Sequence, residues 1–233
     1  MKDRDASSSL PEADFLQAVY ATRFTGAELE SKTELWEVLV QSFLQAFVPD
    51  NATVLDLGAG NCEFINAVNA GQRIAVDLNP DLRLHANENV QTLIAASDNL
   101  SEIPDDCVDV VFTSNFFEHL PSKDRLLTTI AETKRVLKVE GTLIVLMPNI
   151  RYLPGAYWDY LDHHLPLTHL SLCEAIELSG LTPIRVEPRF LPYTVRNSKI
   201  RARRWMLRVY LKFKPAWWLL GKQMLVIAVK GER

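Results

Sequence analysis

The chain has 233 residues, with 25 lysines and arginines against 29 aspartates and glutamates and a formal net charge of −4. Its 48% hydrophobic and 23% charged residues exclude a disordered chain, a collagen-like fibre and a disulfide-framed mini-protein. At this size one domain with a full core is expected. Cys62, Cys107 and Cys173 are odd in number, far apart and without metal-ligand spacing, which points to a reducing compartment. The first residues are charged and then small and polar, so a cleavable signal peptide is not expected. The most apolar stretch, Ala216 to Val229, is broken by Lys222 and Gln223 and falls short of the roughly 20 residues of a membrane span. The expectation is a soluble, cytoplasmic protein. The net charge hides an asymmetry, because from Arg185 to Arg233 there are 13 basic residues and 2 acidic ones. Such polarity concerns partners more than fold.

In chain order, the first ten residues read as disordered. Helical patterns follow at Glu12–Ala21 and Glu28–Phe47; in the second, Leu29, Trp36, Leu39, Val40, Phe43, Leu44 and Phe47 recur at helical spacing before Pro49-Asp50. Short β-rich runs at Thr53–Leu57, Arg73–Asp77, Val90–Ala95, Val108–Ser114 and Thr142–Met147 then alternate with helical segments. Several are almost continuously apolar, as strands covered on both faces should be. Beyond Pro148 the spacing predicts an irregular insertion, a helix at Ser171–Ser179, a strand at Pro183–Pro188, a basic helix at Lys199–Lys214 and a strand at Gln223–Lys230. This is an α/β, doubly wound pattern with a mostly parallel sheet.

In such a sheet the ligand lies beyond the carboxyl ends of the strands. The first strand runs V-L-D-L and turns through Gly58-Ala59-Gly60 into a helix; the second ends A-V-D-L, placing Asp77 where a carboxylate can accept from two ribose hydroxyls. A dinucleotide fingerprint needs a third glycine where Glu63 stands, and Asp56 adds a second negative charge. Those carboxylates disfavour a pyrophosphate and favour a cationic ligand. S-adenosylmethionine, a sulfonium without phosphate, suits that electrostatics better than NAD does. Asp56 has an alternative role as the cap of the following turn.

The segments V-L-D-L-G-A-G-N, A-V-D-L-N-P-D, S-D-N-L-S-E-I-P-D-D-C-V-D-V-V-F, S-N-F-F-E-H-L and R-V-L-K-V-E-G-T-L-I-V-L-M-P-N resemble, in order, the motifs of class I S-adenosylmethionine-dependent methyltransferases. The resemblance covers about residues 50–150. It implies a Rossmann-like, doubly wound seven-stranded sheet, mostly parallel with an antiparallel last strand. By the same resemblance, 1–48 is an N-terminal helical lid and 49–233 the methyltransferase domain, with an acceptor-side insertion at 149–170. Gly58 and Gly60 would face the methionine part, Asp77 would hold the ribose with Leu78 beside it, and Asp98, Ser97 or Asn99 would lie beside the adenine amine. Asn115 would sit near the methyl group, and Arg23 would pair with the methionine carboxylate. Ser114-Asn115-Phe116-Phe117 departs from the N-P-P-Y-like sequence of enzymes that methylate base amines, so that acceptor class is disfavoured.

A hydroxyl acceptor needs alignment and a base. The segment Asn149–His169 holds three of the five histidines, four aromatics, and Asp159 and Asp162. His163 or His164 is the expected base, with His119 a further candidate. No third ligand accompanies Asp162-His163-His164, so no metal is expected. Between the last strands, Arg201, Arg204, Arg208 and Lys212 share a helical face within 198–214, near Trp217 and Trp218, which suits contact with a membrane surface or a polyanion. The composite expectation is O-methylation of a small-molecule, glycan or lipid-linked acceptor. RNA methylation and a non-catalytic cofactor-binding partner are the alternatives, although no appended RNA-binding domain is evident.

Overall fold

Apolar runs that alternate with amphipathic ones bury most surface when the former pair into a sheet and the latter cover its two faces. A computed structural model, describing residues 26–193 and 203–232, has this arrangement. Strands β1 (Thr53–Leu57), β2 (Gln72–Asp77), β3 (Gln91–Ile94), β4 (Val108–Ser114), β5 (Leu137–Pro148), β6 (Thr182–Glu187) and β7 (Gln223–Val229) form one sheet in the order β3-β2-β1-β4-β5-β7-β6. The first five run parallel, and β7 lies antiparallel between β5 and β6. The expected α/β, doubly wound, Rossmann-like sheet with its antiparallel last strand is therefore present. The strand order reverses between β1 and β4, which opens a crevice at their carboxyl ends.

The helices are α1 (Gly26–Ser42), α2 (Glu63–Ala67), α3 (Leu82–His85), α4 (Lys123–Val136), α5 (His169–Leu178), α6 (Arg204–Lys212) and α7 (Lys214–Leu220). Strand side chains alternate between two apolar layers. Leu55, Val111, Val145 and Val226 pack with Leu126 and Ile130 of α4 and Leu172 and Ile176 of α5. Val54, Val110, Phe112 and Ile144 pack on the opposite face with Leu39 and Val40 of α1, Phe64 of α2, Leu211 of α6 and Trp217 of α7. The described part of the segment expected to close over the cofactor, 26–48, thus contributes to the core. Among the described residues no helix is long and apolar enough to cross a membrane.

Three elements differ from expectation for local reasons. The helix read at Glu28–Phe47 ends at Ser42 and resumes as a 3-10 turn, Leu44–Phe47. The break at Phe43 sets its ring 4.7 Å from Phe190 and 5.6 Å from Trp217. The helix read at Lys199–Lys214 is described only from Arg204 and stops at Lys212, and Pro215 falls in the first turn of α7 rather than closing the segment. Proline is at home there, since its fixed φ suits a helix start and its missing N–H would have no partner anyway. Strand β5 begins at Leu137, earlier than Thr142, and Val108 of β4 pairs with Leu137. Glu12–Ala21 and the first ten residues lie outside the described residues.

Phe112 is 1% exposed and stacks on Phe64 at 3.7 Å, with Trp36 edge-on at 6.0 Å. Phe112→Ala is expected to cost about 3–5 kcal/mol of stability, measured as a lower urea midpoint with an unchanged slope.

Candidate cofactor and acceptor site

Strand β1 ends at Leu57, and the chain turns through Gly58 (φ +70°) and Gly60 (φ +50°) into α2. The backbone N–H groups of Gly58 and Ala59 both donate to the Val76 carbonyl, at 2.9 and 3.0 Å. A Cβ at Gly58 would lie 2.4 Å from the Phe116 ring, so both the left-handed backbone and that ring reserve the position for glycine. Beside the turn, Asp77 ends β2. Its Oδ2 accepts the Gly60 N–H and its Oδ1 the Asn79 N–H, each at 2.9 Å. A carboxylate oxygen accommodates about two acceptor bonds, so the carboxylate keeps capacity for a ligand in the cleft that Asp77 lines. Burial raises the Asp77 pKa above the ordinary carboxylate range, against the opposing pull of the Asn79 and Gly60 N–H groups.

Leu57, Gly58, Val76 and Leu78 line the same side of the cleft, with Ala95 and Ser97 next along and Asn115 and Phe116 from the end of β4. Of the three neighbours expected near an adenine amine, Ser97 reaches the cleft, and its hydroxyl bonds Thr129 of α4 at 2.8 Å. Asp98 is ion-paired to Arg125 at 2.8 Å, and Asn99 is exposed. Asn115 holds a left-handed backbone (φ +48°), donates its N–H to the Leu146 carbonyl at 2.8 Å and turns its side-chain amide to the Ser114 hydroxyl. Asn tolerates that conformation better than most residues. Asp56 corrects the expectation of a cofactor contact. It shares the β1 face of Val54, away from Leu57, lies buried, and accepts the Ile65 N–H at the start of α2. Burial and nearby Glu63 push its pKa well up. The Ile65 contact ties the first turn of α2 to β1. Arg23 lies outside the described residues.

This donor set fits S-adenosylmethionine. Asp77 offers acceptor capacity to a diol, and Leu57, Val76, Leu78 and Ala95 offer apolar walls to a flat base. Of the basic groups on the cleft, Arg125 is engaged by Asp98, and Glu63 beyond the turn is paired to Lys32 at 2.8 Å. A pyrophosphate would find little counter-charge.

The insertion after β5 forms the opposite wall. Two 3-10 turns, Ile150–Tyr152 and Ala156–Asp159, lead to Tyr157, which is fully buried and donates its hydroxyl to the Leu165 carbonyl at 2.7 Å. His163 is buried against Tyr157 and stacks on Tyr160 at 5.0 Å, with Nδ1 2.7 Å from the Tyr157 carbonyl. His164 is exposed, its backbone N–H donating to the Glu118 carbonyl. Neither expected base opens onto the cleft. The groups that do are His119, from the 3-10 turn Phe117–His119 that follows β4, and Asp162. Nδ1 of His119 lies 3.1 Å from Asp162 Oδ2 and 3.0 Å from the Asp162 carbonyl. Burial works against the His119 cation, but Asp162 and Glu118 outweigh it and leave the pKa above the usual imidazole range. Sequence separation concealed this pairing, and it also concealed the part of Phe116 in the glycine turn.

Residues 55–145 match the family model of a methyltransferase domain. No curated protein sequence matches the chain. Among solved structures, the complex between the Haloferax volcanii Trm112 methyltransferase activator and a methyltransferase holds a chain with a TM-score of 0.68 and 20% identity, over 95% of this chain and 98% of that one. An Archaeoglobus fulgidus S-adenosylmethionine-dependent methyltransferase gives 0.62 at 20% identity, over 85% and 94% of the two chains. A Mesorhizobium loti S-adenosylmethionine-dependent methyltransferase gives 0.58 at 16%, over 82% and 97%. At these identities the likeness concerns the fold.

Asp77→Ala is expected to weaken S-adenosylmethionine binding by about 1.5–3 kcal/mol, the worth of hydrogen bonds to a charged group, in a calorimetric titration. Only the carboxylate accepts from both hydroxyls. Because the Asp77 pKa is raised, wild-type affinity should fall on acidification at a higher pH than an ordinary carboxylate would dictate.

Proposed function

We propose that the chain, whose residues 55–145 match a methyltransferase domain, is a class I S-adenosylmethionine-dependent methyltransferase that methylates a hydroxyl group on a small-molecule, glycan or lipid-linked acceptor. The observation that carries this reading is the placement of His119, braced by Asp162, on the wall of the cofactor cleft. An oxygen acceptor must shed a proton as it is methylated, and the residues about the cleft supply a polar group where that proton leaves. When bound, S-adenosylmethionine supplies a methyl carbon made electrophilic by its sulfonium. The chain does the rest: Asp77 fixes the ribose, Phe116 and Leu120 line the reacting side, and the His119–Asp162 wall receives the acceptor.

A second surface supports a lipid-linked acceptor over a freely diffusing one. Trp205, Val209 and Phe213 of the α6 segment and Trp218 and Leu219 of α7 are all more than half exposed. Arg208, Lys212 and Lys214 lie among them, and no acidic residue occurs from Pro188 to Gly231. Aromatic and aliphatic side chains interleaved with cations suit the headgroup boundary of an anionic bilayer. An RNA would engage the cations and leave the aliphatic side chains without a partner.

His119→Ala is expected to lower methyl transfer to a hydroxyl acceptor by about 100-fold or more, while calorimetry finds cofactor affinity retained. Unchanged turnover would remove the assignment. In sedimentation with phosphatidylglycerol vesicles the protein should bind, and Trp218→Ser combined with Val209→Ser should release it. Retention of an RNA oligonucleotide, with no uptake on vesicles, would favour RNA as the acceptor instead.

A further inference from the structure

Glu118 and His119, from the turn after β4, and His163, from the insertion after β5, each bring one donor atom to within 4.8 Å of the others. Both imidazoles are held from behind by oxygen. His119 turns Nδ1 to the Asp162 carbonyl and carboxylate at 3.0 and 3.1 Å, and His163 turns Nδ1 to the Tyr157 carbonyl at 2.7 Å. A ring that donates from Nδ1 to these oxygens is in the tautomer whose Nε2 can ligate a metal, and metal binding displaces any second proton. Histidines that bind metals are oriented in this way, their second nitrogen donating to a carboxylate or backbone carbonyl. Tyr157 and Tyr160 wedge the His163 ring, and Glu118 is 1% exposed. The donors are therefore held in place by the fold.

We propose that Glu118, His119 and His163 form a divalent-cation site on the acceptor wall of the cleft. Two imidazoles and one carboxylate suit a borderline first-row ion, such as zinc, cobalt(II) or manganese(II), better than magnesium, which prefers an all-oxygen shell. Closing onto an ion with bonds of about 2.0–2.2 Å draws the donors together from their present spacing by side-chain rotation. Three protein ligands leave positions open, as in catalytic rather than structural sites. The inference deepens the O-methylation reading and rests on it for its purpose. The cation lowers the pKa of an acceptor hydroxyl, whose O–H bond breaks with release of the proton to water. The oxygen then forms its bond to the methyl carbon as the carbon–sulfur bond breaks, the electron pair staying on sulfur and neutralising the sulfonium. In this scheme His119 acts as a ligand, and Asp162 and the Tyr157 carbonyl act as positioning groups.

The test needs neither acceptor nor turnover. Chelator-stripped full-length protein is titrated with cobalt(II), read by its visible d–d absorption, and then challenged with zinc. One equivalent should bind wild-type protein and His164→Ala, which alters the neighbouring exposed histidine. Glu118→Gln, close to isosteric, and His163→Ala should each weaken binding at least tenfold while still binding S-adenosylmethionine, which verifies their fold. If His163→Ala does not fold, Glu118→Gln decides. The site is overturned if wild-type protein takes up neither ion, or if Glu118→Gln binds as tightly as wild type. A screen that finds only amine acceptors would overturn O-methylation and leave the cobalt result standing.

Discussion

The turn after β1 is clasped from three directions, and the site depends on that clasp. The Val76 carbonyl takes the N–H groups of Gly58 and Ala59, Asp77 takes that of Gly60, and the Phe116 ring fills the space a side chain at Gly58 would need. These contacts tie the carboxyl ends of β1, β2 and β4 to one another, where strand pairing alone would leave the outgoing loops to wander. Asp77 is thus a structural brace as well as part of the cleft wall. The backbone N–H groups of Asn79, Gly60 and Leu78 partly offset the cost of burying its charge.

The opposite wall is built on a different principle. The insertion after β5 has little regular structure, yet it is held through Tyr157, whose ring is enclosed and whose hydroxyl reaches the Leu165 carbonyl. The backbone carbonyl of the same residue fixes the His163 ring. Backbone N–H groups of His164 and Leu165 both donate to the Glu118 carbonyl, at 2.8 and 3.0 Å, which sews the insertion to the turn after β4. An irregular segment therefore presents Asp162 to His119 with the definition of a packed core, as a site built on loops requires.

Much of this was legible from local pattern. The continuous apolar runs at Thr53–Leu57 and Val108–Ser114 could only be buried strands, and the glycines and Asp77 follow from what strand ends must do around a nucleoside. The two-residue period sets Asp56 on the face of Val54 and against Leu57, which favours its alternative role beside the following turn. A proline closes one helix as readily as it opens another, and here Pro215 stands in the first turn of α7, whose Trp217 is buried in the core. The meeting of Glu118, His119, Asp162 and His163 had no local signal. It depends on how the insertion folds back over β4, and the histidines standing next to each other in sequence drew attention from the one that faces the cleft. Arg23 and the helix read at Glu12–Ala21 lie outside the described residues.

The placement of β7 bears on the order in which the chain assembles. Strand β6 has β7 as its sheet neighbour, and β7 alone joins it to β5. The parallel portion from β3 to β5 can pair while β6 has no edge to dock against. Until β7 pairs, the edge of β5 stays open. Closure of the sheet is a late, long-range event of the kind that slows folding and exposes apolar surface.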